Sequence, residues 1–320
     1  MNIVVLDGFT LNPGDLSWEA LKKLGKVVVY NRTGYDAQDV IKAIGNAEII
    51  FTNKTPITKE VLNKVPNLKY IGVLATGFNI VDVKTAKELN ITVTNIPAYG
   101  TKAVAQFVMA LLLEICHHIG EHNSSVQQGD WTNSVDFCYW KNPLIELEAK
   151  NIGLIGFGKI GQATAKLAIA FGMKVMVYSR TVMKECENSD LKFVPLEELF
   201  KKSDVISLHC PLNKETKHII CKENIDKMKK QPILINTARG GLVNEQDLAD
   251  ALNAGKIYAA ALDVVSVEPM EKSNPLLNAK NCVITPHIAW ATKEARQRLM
   301  CTAVGNLTAF INGNPTNRIN

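Results

Sequence analysis

The chain lacks any apolar stretch of the ~18–20 residues that a membrane-spanning helix needs. Its longest candidate, AVAQFVMALLLEI over 103–115, is interrupted by Gln106 and broken again by Glu114. Cys-x-x-Cys pairs are absent. The seven cysteines are scattered and odd in number, which argues against a disulfide framework. There is no dense basic stripe either. The net charge of +5 is spread over separated pairs such as Lys22-Lys23, Lys201-Lys202 and Lys229-Lys230, with acids nearby. A nucleic-acid footprint needs clustering, whereas a mild basic balance suits small acidic substrates. MNIVVLD leads straight into a strand with no basic, apolar leader, so a cytoplasmic location is expected. One metal-like pattern occurs: His118-Ile-Gly-Glu121-His122 reads HxxEH. Gly120 sits inside the turn that would have to put both histidines on one helix face. The expectation is therefore a frayed, solvated helix end and no metal.

What is present is an ordinary globular composition, 47% hydrophobic and 21% charged, in 320 residues. That length is comfortable for two domains. Short apolar runs alternate with helical patterns: NIVVLD (2–7), KVVVY (26–30), AEIIFTN (47–53), KYIGVLAT (69–76) and ITVTNI (91–96) read as strands. Between them SWEALKKLG and AQDVIKAIG have helical spacing and end in Gly. After Pro97 one helix is predicted from about 101 to 119, then an irregular aromatic segment, SSVQQGDWTNSVDFCYWKNP. That segment is too long for a routine connection, so it is read as functional or as an oligomer contact. Alternation restarts with NIGLIG (151–156), KVMVYS, DVISLH, PILINT, YAAALDV and CVITPH (282–287), and TKEARQRLMCTAVGNLTAFING reads as a closing helix. The fold class is α/β, with two doubly wound parallel-sheet domains.

GFGKIG (156–161) follows a buried-looking strand and opens a helix, the context in which a GxGxxG turn has a mechanism. Gly156 allows the tight turn, Gly158 lets the backbone approach a pyrophosphate, and Gly161 permits close helix–strand packing. The helix N-terminus offers unpaired N–H groups to the phosphates. Where an acid would accept both adenosine ribose hydroxyls, the chain has VYSRT (177–181). Ser179 removes the charge that would repel a 2′-phosphate, Arg180 supplies a planar cation, and Thr181 adds a hydroxyl. This favours NADP over NAD, the alternative being a solvated Arg180 that stacks beside the adenine. Arg239 in NTARGGLVNE, Glu268 in DVVSVEP and His287 in ITPHIAW each stand just past a strand. Ligands of open α/β sheets sit at those ends, and hydride transfer to a 2-oxo acid needs such groups.

Taken with DGFTLNPGDLSW, LATGFNIVD (74–82), NIPAYGTKAVAQF (95–107) and TPHIAWAT, these motifs resemble the D-isomer-specific 2-hydroxyacid dehydrogenase family over nearly the whole chain. Within it the similarity is greatest to the glycerate dehydrogenase/hydroxypyruvate reductase branch. The resemblance implies that His287 protonates the carbonyl oxygen as hydride arrives, that Glu268 pairs with it, and that Arg239 grips the substrate carboxylate. Ala75, Thr76 and Gly77 would bind the carboxylate through their amides, with Trp290 a candidate for substrate discrimination. Thr101, Lys159, Ile160, His209, Cys210, Pro211, Thr216, Thr237, Ala238, Asp263 and His287 would line the cofactor site, Asp263 through the nicotinamide amide. It further implies a Rossmann-type cofactor domain, 99–287, inserted into a flavodoxin-like substrate domain of 1–98 and 288–320, and a homodimer joined through 120–143. D-lactate dehydrogenases of this family usually keep an acid at the ribose position. Dinucleotide-sensing corepressors also resemble it, and a sensor would turn over slowly on every oxo acid.

Overall fold

A computed structural model describes all residues, Met1–Asn320. The chain divides into two compact units, Met1–Gly100 with Ala291–Asn320, and Thr101–Trp290. The first unit is a five-stranded parallel sheet of β1 (Asn2–Val5), β2 (Lys26–Val29), β3 (Ile49–Thr52), β4 (Tyr70–Val73) and β5 (Thr92–Thr94), in the order β2-β1-β3-β4-β5. β1, β3, β4 and β5 are almost wholly buried, as expected of strands covered on both faces. β2 alternates exposed and half-buried residues, the pattern of an edge. The closing helix Lys293–Ile311 packs on this sheet, with Phe310 against Tyr70 at 4.9 Å between ring centres. Arg296 anchors it, being 8% exposed and bidentate to Asp15 at 2.7 Å through each of two nitrogens.

The second unit is a seven-stranded parallel sheet: β6 (Asn151–Ile155), β7 (Lys174–Tyr178), β8 (Leu191–Phe193), β9 (Val205–Leu208), β10 (Ile233–Asn236), β11 (Ala259–Leu262) and β12 (Cys282–Ile284). Its order is β12-β11-β10-β9-β6-β7-β8, so the direction of winding reverses between β6 and β9. Such a reversal opens a crevice at the carboxyl ends of the strands. The expected strands are all present. β8 was not anticipated; it is three residues at the sheet edge with only Leu191 fully buried.

The predicted helix over 101–119 is two. Thr101–His117 ends where His118 adopts φ 49, and a second helix, Ile119–Gln127, follows at a bend of 55°. HxxEH therefore spans the break rather than a frayed end. Glu114 accepts the amide of Gly120, and His122 is held to the His118 carbonyl. No single helix is long and apolar enough to cross a membrane. Residues 128–144 are folded upon themselves. Buried Ser125 bonds Asp130 and Tyr139, Lys141 pairs with Asp130 at 2.9 Å, and the Trp131 indole donates to the Phe137 carbonyl.

Candidate active site

The crevice of the second unit is built by the turn after β6. Gly156 has φ +101, and a Cβ there would lie 2.6 Å from the His209 carbonyl. Only glycine fits this approach between the two strands that diverge. A Cβ on Gly158 would meet nothing within 4 Å, so open space lies over that residue. A Cβ on Gly161 would strike the Gly156 carbonyl at 2.6 Å, which is the close helix–turn packing the motif implies. The helix Lys159–Ala170 has no side-chain cap, and the amides of Gly158, Lys159 and Ile160 have no acceptor in the protein. The Thr237 hydroxyl at the end of β10 is also buried without a partner. Uncapped amides, an open glycine and an orphaned hydroxyl on one sheet edge fit a dinucleotide.

Ser179 is half-buried at the end of β7, while Arg180 and Thr181 are exposed, and none of the three side chains is hydrogen-bonded within the protein. His209 Nε2 bonds Ser207 Oγ at 2.9 Å, and burial pushes the imidazole down to about 4, so it is neutral near pH 7. Burial raises the neighbouring Cys210 thiol above its ordinary range. Pro211 is exposed, and its carbonyl accepts the Thr216 hydroxyl at 2.6 Å, so that hydroxyl is spent on its own turn. Thr101 begins the helix that packs against Lys159–Ala170.

Three of the residues singled out in the sequence lie in the loops after three adjoining strands. His287 follows β12 and Glu268 follows β11. His287 Nδ1 and Glu268 Oε2 are 2.7 Å apart, and each side chain is about one-third exposed. The Nδ1 proton therefore points at a carboxylate, and Nε2 is left for a ligand. His287 has φ 55, a left-handed backbone that costs a non-glycine residue about 1–3 kcal/mol unless its surroundings impose it. Three groups impose it. Asp263, 1% exposed, accepts Thr285 Oγ1 at 2.7 Å and the amides of Ile288 and Ala289 at 2.8 Å. Trp290 Nε1 donates to the His287 carbonyl at 2.9 Å. Glu268 holds the ring itself.

Arg239 follows β10, is exposed, and has no carboxylate partner; one Nη donates to the Ala238 carbonyl at 2.7 Å. Its turn is clamped by Asn236, 0% exposed, whose amide group bonds both the Ala238 amide and the Arg239 carbonyl. Gly240 then presses so close to Val265 that a Cβ would overlap its carbonyl carbon at 1.9 Å. That contact brings the Arg239 turn onto the turn that carries Glu268. Asn236, Gly240 and the loop-holding role of Asp263 escape a sequence reading. The only local signal is a polar residue closing each of two otherwise apolar buried strands, ILIN and AAALD.

Ala75, Thr76 and Gly77 belong to the first unit, in the loop after β4. Their amides donate to no acceptor in the protein, while two of their carbonyls are engaged: Ile96 N bonds Ala75 O, and Asn95 Nδ2 bonds Thr76 O at 2.7 Å. Successive free amides on a loop fixed from behind make an anion-binding concavity.

Residues 109–289 match the model of the D-isomer specific 2-hydroxyacid dehydrogenase NAD-binding domain. Over 321 aligned positions, covering 100% of both chains, the protein is 57% identical to a hydroxypyruvate reductase of Blautia hydrogenotrophica. It is 41% identical to a glycerate dehydrogenase of Methylorubrum extorquens over 88% of each chain. Among solved structures, an acyclic imino acid reductase (Bsp5) in complex with NADPH and D-Arg superposes with a TM-score of 0.84, at 32% identity over 100% of both chains. The chain belongs to the D-isomer-specific 2-hydroxyacid dehydrogenases, a family of NAD-binding oxidoreductases.

Proposed function

We propose that the protein reduces hydroxypyruvate to D-glycerate, with glyoxylate as a second substrate and NADPH preferred to NADH. The observation that carries the reading is the His287–Glu268 pair at 2.7 Å beside an arginine with no carboxylate of its own. The nicotinamide cofactor, when bound, supplies a hydride to C2 of the oxo acid. The residues of the chain do the rest. His287 Nε2 gives its proton to the carbonyl oxygen, and Glu268 holds Nδ1–H and the imidazolium's partner charge while that proton is in transit. A positioned acid of this kind contributes about 10²–10⁴-fold in rate. In the second unit Arg239 offers two parallel N–H groups to a substrate carboxylate; in the first unit the free amides of Ala75, Thr76 and Gly77 offer donors to an anion. Substrate is assigned to residues 1–98 with 288–320 and cofactor to 99–287. Trp290 acts on the substrate through the His287 it braces.

The NADPH preference rests on Ser179 in place of an acid and on an exposed, partnerless Arg180. A second copy of the chain would cover the 120–143 segment, where Val135 is 100% exposed, Phe137 88% and Trp140 65%. Seven free cysteines suit a reducing compartment such as the cytoplasm. The test is one panel: NADH and NADPH oxidation with hydroxypyruvate, glyoxylate and pyruvate. Fast turnover of hydroxypyruvate with NADPH at least competitive is expected. Slow turnover of every pair would replace the enzyme reading with that of a dinucleotide sensor.

A further inference from the structure

Glu268 reaches His287 from a long segment, and that segment is fastened from outside. After β11 the chain runs from Val264 to Asn274 with no helix or strand, and Glu268 lies within this run. Its Oε2 meets His287 Nδ1 at 2.7 Å, and its Oε1 accepts the Val265 amide at 3.4 Å. These bonds fix the carboxylate only as firmly as residues 265–268 are themselves fixed. A stretch without ladder bonds is the part of a fold most ready to open locally.

Glu245 supplies the anchor. It opens the helix Glu245–Asn253, which Asn244 caps by accepting the Asp247 amide. A carboxylate in a first turn suits the helix dipole, and that role alone would leave its side chain to water. Instead Glu245 is half-buried and takes three donors from the Glu268 segment. The Ser266 amide lies at 2.6 Å from Oε1, with the Ser266 hydroxyl at 2.7 Å and Asn274 Nδ2 at 2.9 Å from Oε2. Hydrogen bonds to a carboxylate are the strong kind. Ser266 precedes Glu268 and Asn274, 9% exposed, follows it, so one side chain pins the segment on both sides of Glu268. Asn274 is held in turn by its own oxygen, which accepts the Leu276 amide at 3.0 Å. Gly240 presses on Val265 from the Arg239 turn. The stretch 239–245 therefore carries Arg239 at one end and the anchor of Glu268 at the other.

We propose that Glu245 is a positioning residue for the reaction, acting through Glu268. This rests on the reading that Glu268 orients His287 as the acid. With the segment pinned, the Glu268 carboxylate stays in line with Nδ1–H, and Nε2 keeps one direction while its proton moves. With the segment released, the carboxylate drifts from Nδ1 and the imidazole is free to turn, so the acid is aligned for only part of the time. A misplacement of about 1 Å in such a site lowers a rate by about a hundredfold. Cofactor and oxo acid are bound by other groups, so their affinities are not carried by this anchor.

The experiment measures kcat, KM for hydroxypyruvate and the dissociation constant for NADPH in wild type, Glu245→Gln, Glu268→Gln and the double variant. Ser266→Ala is a milder version that leaves the helix intact. Glutamine has one acceptor oxygen where the carboxylate has two, and it sets an NH2 against at least one of the three donors. Glu245→Gln is expected to lower kcat about ten- to hundredfold, with KM and NADPH affinity within threefold of wild type. Ser266→Ala should lower kcat about two- to tenfold, the range of one ordinary hydrogen bond. In the Glu268→Gln background no carboxylate remains to position, so adding Glu245→Gln should change kcat by no more than about twofold. A fall of equal size in both backgrounds would mean that Glu245 acts on the fold and not through Glu268, and would overturn the proposal. An unchanged kcat in both Glu245→Gln and Ser266→Ala, or an effect confined to KM, would overturn it as well. If Glu268→Gln alone keeps wild-type kcat, the reading of the pair is what has failed, and Glu245 has nothing to position.

Discussion

Asp263→Asn is the substitution whose consequence the structure specifies most fully. Three donors converge on the native carboxylate: Thr285 Oγ1 and Ile288 N on one oxygen, Ala289 N on the other. Asparagine has nearly the same shape but only one acceptor oxygen. Turned to serve Thr285 and Ile288, it sets its NH2 against the Ala289 N–H. Two charge-assisted bonds become neutral and one buried donor is left without a partner, for a net cost of about 2–5 kcal/mol. In a unit of this size 1 kcal/mol moves Tm by ~2–4 °C, so melting should fall by roughly 5–15 °C. The same bonds hold His287 at φ 55, so kcat should drop about tenfold or more as the loop relaxes toward ordinary backbone. Melting by circular dichroism and steady-state kinetics with hydroxypyruvate are the assays. An unchanged Tm with cofactor affinity weakened more than tenfold would refute the reasoning. It would make Asp263 a nicotinamide ligand, as the family resemblance implies, rather than the fastener of the loop.

Three other variants bear on separate parts of the account. Arg239→Lys should raise KM for the oxo acid at least tenfold, because a point charge replaces a planar fork; an unchanged KM would mean the carboxylate is held elsewhere. Ser179→Asp combined with Arg180→Ala should shift the NADPH/NADH ratio of kcat/KM toward NADH by ten- to hundredfold, measured side by side, and a fixed ratio would make Arg180 a bystander. His209 has a folded value of about 4, below the ~6.5 of an unfolded histidine. The unfolded chain therefore binds the extra proton first, and stability falls as pH drops from ~6.5 to ~4, by up to about 3 kcal/mol. His209→Gln, which keeps a partner for Ser207, should flatten the Tm–pH curve over that window. A parallel curve would show that the imidazole is not desolvated.

Much of this architecture was legible because it is written in local signals. Buried parallel strands read as unbroken apolar runs, and GFGKIG announces its turn through glycines whose missing Cβ atoms the structure shows to be required at 156 and 161. The loop positions of Arg239 and His287, three residues past their strands, and of Glu268, six past its own, were legible from the strand runs. What was not legible depends on distance along the chain. β8 is too short and too exposed to show a pattern. The helix break at His118 depends on a carboxylate six residues from the amide it accepts. Asp263 meets its partners 22 to 26 residues on, and Asp7 meets its own 46 to 48 residues on. Neither spacing belongs to any helix or strand period.

In the proposed reaction His287 moves the proton. Its most direct test is turnover of hydroxypyruvate by His287→Ala alongside the dissociation constant for NADPH. The expected result is a loss of about 10²–10⁴-fold in kcat with cofactor affinity within threefold of wild type. Turnover within threefold of wild type would contradict it and remove the His287–Glu268 pair from the chemistry.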